Sequence, residues 1–378
     1  MEPDQPQLPD HEQMVAGLLA WYDECRRDLP WRRTKDPYAI LVSEVMLQQT
    51  QVSTVIPYYL RFLQRFPNAK ALAEASEEEL LKLWQGLGYY RRARNLQAAA
   101  QQIVSAHGGR FPNTKDDIDA LKGVGAYTGA AVASIALDLP YACVDGNITR
   151  VITRITAMDE DVQVLSTQKT IQKLASSWLP PRRPGDFNQA MMELGATVCR
   201  PKKPSCLTCP VQSFCKTQQL GQNPEARPVK SKKTKVSKIV HESIFLFSGK
   251  RFLLARRPEK GLMAGMWELP AQAKDTFIPW RDCFEESPAI LHRTPKPFEH
   301  RFTHLHAFYH LEIYHHPAEP TWRKAPNAYA ETRWVDQEDL SRLPLTKVFL
   351  NMLPHLTSFL EDPCRRQTST LPGVQITS

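Results

Sequence analysis

The stretch "LKGVGAYTGAAVASIAL", residues 121–137, carries most of the information about the fold. Gly123 and Gly125 stand two residues apart, immediately before a run of small apolar residues. Glycine tolerates positive φ and has no Cβ, so the pair predicts a tight turn whose backbone approaches a neighbouring group closely. The apolar run predicts a buried helix starting near Ala126. The first amides of that helix have no partner within it, and they present the positive end of the helix dipole. An anion suits such a place, a phosphate above all. On its own the turn reads first as a plain structural connection.

Two carboxylates flank this stretch in the chain. "VDGNITR" (144–150) puts Asp145 before a helix opening at about Ile148. That is an N-cap position, which favours an ionised carboxylate, and Asn147 is near enough to hydrogen-bond beside it. Upstream, "AILVSEVMLQQTQV" (39–52) sets Glu44 among Ile40, Leu41, Val45, Met46 and Leu47. This glutamate is either solvent-facing or buried. If buried, desolvation leaves it protonated near neutrality. One carboxylic acid and one carboxylate is the division of labour for cleaving a bond to a sugar.

Of the eight cysteines, four fall in "CRPKKPSCLTCPVQSFC" (199–215): Cys199, Cys206, Cys209 and Cys215, spaced Cys-x6-Cys-x2-Cys-x5-Cys. Four thiolates suffice for zinc or for an iron–sulfur cluster. A zinc site usually offers two Cys-x2-Cys knuckles, and only one such pair occurs here. The alternative is four reduced thiols without metal. A bound metal would fix a loop poor in apolar residues and present Lys202 and Lys203 on a rigid hairpin.

A chain of 378 residues predicts about two domains. Residues 1–10 and 363–378 read as disordered. Residues 11–215 read as mostly helical, with a capping box beginning at Ser76 and a glycine stop at Gly108. Residues 216–238, rich in Gln, Pro, Gly and Lys, read as a linker. Residues 239–362 switch to strand periodicity, with two strands around Ser248-Gly249-Lys250 and a closing helix, an α+β domain. The net charge of +8 and pI near 9.0 permit a nucleic-acid partner. The best apolar run, around 129–144, is interrupted by Asp138 and Pro140, short of a membrane span. The acidic, Pro-rich start lacks the features of a secretory signal. The expectation is a cytoplasmic monomer with no membrane association, associated with the nucleoid if it binds DNA.

The cysteine spacing resembles the [4Fe–4S] loop of the endonuclease III superfamily of DNA glycosylases, and "LKGVG" resembles their helix–hairpin–helix turn. With "LPWRRTKDPYAILVSEVMLQQTQV" (29–52), "WQGLGYYRRARNL" (84–96), "NQAMMELGATVC" (188–199), "GLMAGMWELP" (261–270) and "FTHLH" (302–306), the chain from about 11 to 360 is similar to the MutY-type adenine DNA glycosylases. The resemblance implies an iron–sulfur helical domain followed by a Nudix-like domain that recognises 8-oxoguanine. It implies duplex DNA with an 8-oxoguanine:A or G:A pair as substrate. Glu44 would protonate the flipped adenine and Asp145 would stabilise the oxocarbenium. Tyr127 stands where strand-cutting relatives carry a lysine, and a tyrosine forms no imine, which implies a monofunctional enzyme. Lys122, inside the turn, is not expected to reach the site. Trp31 and Arg32 would line the adenine pocket, and Gln49 and Tyr89 would wedge into the duplex. Gly123 and Gly125 would meet DNA phosphate. Phe302, Thr303 and His304 match a loop that contacts the oxidised guanine, with threonine where the family has serine. The Nudix hydrolase signature is missing, so no pyrophosphatase chemistry is expected. Competing readings are a thymine or uracil mismatch glycosylase, and a DNA-binding iron–sulfur protein without activity.

Overall fold

The structure, a computed structural model, describes residues 11–231, 236–302, 304–325 and 329–361. The ends read as disordered and the expected contact residue Thr303 lie outside the described residues. The chain divides into two compact units. One comprises residues up to Ala75 with Arg91–Lys232, the other Ser76–Tyr90 with residues from Lys233 onward.

The first unit is helical: α1 (His11–Cys25), α2 (Pro37–Leu47), α3 (Val52–Arg65) and α4 (Ala69–Ala73) precede α5 (Glu77–Trp84), which belongs to the second unit. There follow α6 (Arg91–His107), α7 (Lys115–Asp119), α8 (Ala126–Leu137), α9 (Gly146–Ile155), α10 (Leu165–Trp178), α11 (Pro184–Thr197) and the short α12 (Lys216–Gln219). Local chemistry sets the starts. Asp36, Asn68, Ser76, Thr114 and Asp145 each accept a hydrogen bond from an amide in the first turn of the helix that follows. Gly108 and Gly109, at φ 60° and 81°, end α6.

Two helices form the centre. Every residue from Tyr38 to Met46 of α2 and from Thr128 to Ile135 of α8 is buried. A helix with no solvent face has nothing to gain from an amphipathic pattern, and neither sequence shows one. Small residues allow the close packing. A Cβ at Gly185 on α11 would lie 2.5 Å from the Ser134 carbonyl oxygen on α8.

The hairpin before α8 is closed by Val124 N–H donating to the Leu121 carbonyl, 3.0 Å. Gly123 takes φ +77°, and a Cβ there would sit 2.5 Å from that of Asn95. Gly125 does not use the positive φ that glycine allows. Gly125 is the N-cap of α8 at φ −95°, ψ 173°, and the space where its Cβ would be is open. The turn needs a left-handed residue once, and an N-cap is ordinarily extended.

Residues 216–231, expected as a linker, pack against the first unit. The Thr217 hydroxyl donates to the Arg154 carbonyl at 2.5 Å, and Val162 N–H donates to the Val229 carbonyl at 3.1 Å. Arg227 is 4 % exposed, with Nε donating to the Met158 carbonyl. The segment is held by polar side chains and backbone bonds, which leave no trace in hydrophobic periodicity.

The second unit is a mixed sheet of β1 (Ser237–Ser248), β2 (Arg251–Arg256), β3 (Trp267–Glu268), β4 (Ala271–Ala273), β5 (Ala289–Arg293), β6 (Phe298–Arg301), β7 (Leu305–His315) and β8 (Glu331–Val335), with α13 (Lys347–Glu361). β1 and β7 run parallel, in register from Ser237↔Leu305 to Phe247↔His315, and the other pairings are antiparallel. Alternate residues of β1 feed two cores. Phe245 and Phe247 join Phe252, Phe349 and Leu356, while Ile244 and Leu246 join Trp280 and Phe284. Helix α5 joins this unit through Lys82, whose Nζ donates to the Leu340 and Leu343 carbonyls, both at 3.1 Å. Gln85 Oε1 accepts from Leu345 N–H at 2.9 Å. No described helix is long and apolar enough to cross a membrane.

Candidate active site

A cavity of about 690 Å³ opens in the first unit between α2, α8, α9 and α11. Glu44, Tyr127, Asp145, Asn147, Trp31, Arg32 and Gln49 all line it. Seven residues chosen from sequence, spread over more than a hundred positions, thus meet in one place. Tyr89, Phe302 and His304 belong to the second unit, and Gly123 lines a separate small cavity with Asn95, Arg92 and Lys122.

Glu44 is 6 % exposed because α2 is buried on all sides. Burial pushes its carboxyl up from 4.5 to about 7. The Tyr127 hydroxyl, 2.9 Å from Oε2, donates to it and pulls the other way, as does the Arg32 charge, while Asp145 adds to the rise. The balance leaves a proton available near neutrality, the condition for a general acid. Burial also raises the Tyr127 hydroxyl well above its usual value, with Glu44 as the next cause. Tyr127 is therefore a neutral donor, oriented by Glu44 and 3.8 Å from the Met192 sulfur.

Asp145 caps α9. Its Oδ1 accepts from Ile148 N–H at 2.7 Å and its Oδ2 from Asn147 Nδ2 at 2.9 Å. Asn147 Oδ1 accepts in turn from Arg150 Nη2 at 2.8 Å, and Arg150 Nε donates to the Cys199 carbonyl at 2.8 Å. One continuous set of bonds therefore joins the capping aspartate to the start of the cysteine loop. A Cβ at Gly195 would meet that of Asn147 at 2.6 Å, so the glycine lets α11 close on this array. Asn188, buried on α11, accepts from Cys143 N–H and donates to the Tyr141 carbonyl, fixing the segment that leads into Asp145.

Glu193 was not singled out from the sequence. It lines the same cavity, 1 % exposed, yet its titration goes the opposite way from that of Glu44. Burial acts to raise it, but hydrogen bonds from Arg27 (Nε, 2.7 Å) and Arg32 (Nη2, 2.8 Å) outweigh this and hold it at about 2. Two buried carboxylates in one cavity thus differ because guanidinium groups hydrogen-bond Glu193, whereas Glu44 feels Arg32 only as a nearby charge. Arg32 is fixed by this pair and lies 5.4 Å over the Tyr22 ring, and Trp31 meets Tyr59 edge-to-face at 5.5 Å. Gln189, Met192 and Lys230 also line the cavity. Glu193, Gln189 and Met192 sit in "NQAMMELG", where an acidic residue amid small and apolar ones was the available signal. Lys230 was hidden in the lysine run assigned to the linker. Gln49 holds φ 56° at the rim and Tyr89 holds φ 50° with 47 % exposure, uncommon conformations for residues other than glycine.

Cys199, Cys206, Cys209 and Cys215 line one further cavity with Val151, Ile155, Leu194 and Val211. Burial raises the thiols of Cys206 and Cys215 and pushes that of Cys209 up to about 12. Arg154, 2 % exposed, directs Nη1 at Cys199 Sγ (3.3 Å), and its other hydrogen bonds go to backbone carbonyls. A buried guanidinium with no carboxylate partner among the described residues suits an anionic metal–thiolate group. Among the described residues no three His, Cys, Asp or Glu side chains converge closely enough for a single ion. Four thiols lining one cavity are a donor set that a metal–thiolate group requires.

Residues 42–181 match the HhH-GPD superfamily of base excision DNA repair proteins, and residues 244–355 match the NUDIX domain. A solved thermostable thymine-DNA glycosylase is 31 % identical with a TM-score of 0.51, over 56 % of this chain and 97 % of that one. A helical unit with this hairpin and this cavity has the architecture of a base-excision repair protein. The adenine DNA glycosylase of Mus musculus is 41 % identical over 307 residues, 68 % of this chain and 60 % of the mouse protein. That of Schizosaccharomyces pombe is 30 % identical over 416 residues, 90 % of this chain and 88 % of the yeast protein. The chain belongs to the adenine DNA glycosylase family. It spans about three-fifths of the length of the mouse relative.

Proposed function

We propose that this chain hydrolyses the N-glycosidic bond of adenine paired with 8-oxoguanine or guanine in duplex DNA, leaving an abasic site. The observation that carries the reading is one cavity holding a largely desolvated acid, Glu44, beside an amide-bound carboxylate, Asp145. The adenine leaves the base stack, since its glycosidic bond is out of reach within the duplex. Glu44, held by Tyr127, gives a proton to the purine and makes it a better leaving group. Asp145 faces the sugar and stabilises its developing positive charge, and water completes the hydrolysis. Tyr127 offers no amine to the sugar, so strand cleavage is not part of the reaction.

The four cysteines would hold a [4Fe–4S] cluster, which supplies rigidity to the loop carrying Lys202 and Lys203 beside DNA phosphates. The amides at the start of α8 and the open space at Gly125 serve the same backbone contact. Gln49 and Tyr89 wedge into the duplex, and Phe302–His304 meet the oxidised guanine. The test is a duplex with one 8-oxoguanine:A pair, divided with and without hot alkali. The adenine strand is expected to break only after alkali. Breakage without alkali refutes the monofunctional mechanism. Excision of thymine from a G:T pair in preference to adenine moves the reading to a thymine glycosylase.

A further inference from the structure

Gln49 is exposed at the rim of the first unit's cavity and holds φ 56°, a left-handed backbone that is costly for a residue with a Cβ. No glycine or proline lies in residues 47–52 to shape the turn. A conformation of this kind persists only where its surroundings over-determine it.

The support comes from α6. Arg92 Nη1 donates to three carbonyls at the end of α2: Val45 at 2.8 Å, Met46 at 3.0 Å and Gln48 at 2.5 Å. Its Nη2 donates to Thr50 Oγ1 at 3.2 Å. The last carbonyls of a helix have no partner within it and carry the negative end of its dipole. A guanidinium placed there satisfies them and supplies the matching charge. It also grips the residues on both sides of Gln49. The turn is pinned further by Thr50 N–H donating to the Leu47 carbonyl and by Gln48 Nε2 donating to Thr128 Oγ1 on α8, both at 3.2 Å. Asn95, one turn along α6 from Arg92, packs where a Cβ at Gly123 would stand. One rigid helix thus carries both the hairpin and the turn of Gln49. The residue type matters. A guanidinium is a planar fork of five donors, whereas an ammonium is a compact point charge that could not span Val45 to Thr50 at once.

We propose that Arg92 is a positioning residue for excision, which holds the strained turn at Gln49 in the shape that enters the duplex. The inference rests on the reading of this chain as an adenine glycosylase with Gln49 as a wedge. Arg92 does not line the cavity of Glu44 and Asp145, and it acts through Gln49.

The test is a double-mutant cycle on the full chain. Single-turnover excision from an 8-oxoguanine:A duplex is measured at saturating protein for the wild type, Arg92→Lys, Gln49→Ala and the double variant. Each single variant should slow excision by about tenfold, within the scale of a misplaced contact around a reacting group. In the Gln49→Ala background, Arg92→Lys should change the rate by less than about twofold. A merely structural arginine would multiply the two losses, so an equal factor in both backgrounds overturns the proposal. An undiminished rate in Arg92→Lys overturns it too. An undiminished rate in Gln49→Ala removes the wedge and the proposal with it, whereas a wild-type chain that leaves adenine in place fails the glycosylase reading instead. Should Arg92→Lys fail to fold, Thr50→Val takes its place in the cycle. It removes one acceptor of the guanidinium and keeps the shape, and it should slow excision by about fivefold with Gln49 present.

Discussion

Replacing Tyr127 by phenylalanine tests the proton on Glu44 directly. The hydroxyl lies 2.9 Å from Glu44 Oε2, and its bond favours the charged carboxylate. A hydrogen bond to a charged group contributes about 1.5–3 kcal/mol, and one pKa unit is about 1.4 kcal/mol. The neutral acid also accepts this bond, so the differential is taken at the lower end, about one unit. Tyr127→Phe should therefore move Glu44 from about 7 to about 8. The acid must be protonated to act, so excision falls as pH rises through this value. At about pH 8 the protonated fraction rises from roughly one in eleven to one half, about fivefold relative to the acid plateau. The assay is the single-turnover excision rate on an 8-oxoguanine:A duplex across the neutral to alkaline range. A limb that stays where it is would refute the argument. A lower plateau with an unmoved limb would place Tyr127 at the sugar, beside Asp145, rather than at the acid.

Glu44→Gln should abolish excision while duplex binding in a gel-shift assay stays within about twofold, since the amide keeps the shape and loses the proton. Lys230→Ala should leave the need for alkali unchanged, and a change would make this cavity lysine a participant. Gly123→Ala should destabilise the fold by about 1–3 kcal/mol in denaturant titration, through positive φ and the clash with Asn95. Gly125→Ala meets no clash and should cost only the N-cap preference of glycine over alanine, about 1 kcal/mol or less, while weakening DNA binding. Glu193, depressed to about 2, stabilises the fold above its ordinary 4.5 and loses that contribution as pH falls through about 2. Glu193→Gln should therefore flatten the acid limb of thermal stability. His304→Ala should lower the preference for 8-oxoguanine:A over G:A by about 1–3 kcal/mol, read from the two excision rates, the scale of one lost base contact.

What the sequence determined is what neighbours along the chain decide. Asp145 as a cap, the stop after α6, the left-handed Gly123 and the four-cysteine spacing all follow from groups within a few residues of one another. The change from helical to strand periodicity likewise separated the two kinds of fold. Tertiary structure decided the rest. Whether Glu44 faced solvent or core was undetermined by periodicity, because α2 is buried all round and has no pattern to read. The bond that orients it comes from Tyr127, 83 positions away. Glu193 owes its low pKa to Arg27, 166 positions away, and the ordered course of 216–231 depends on α9 and the segment after it. α5 lies between helices of the first unit in sequence, yet it belongs to the second through bonds to residues 340–345. Charge state depends on burial and on partners, and the chain supplies both only when distant segments meet.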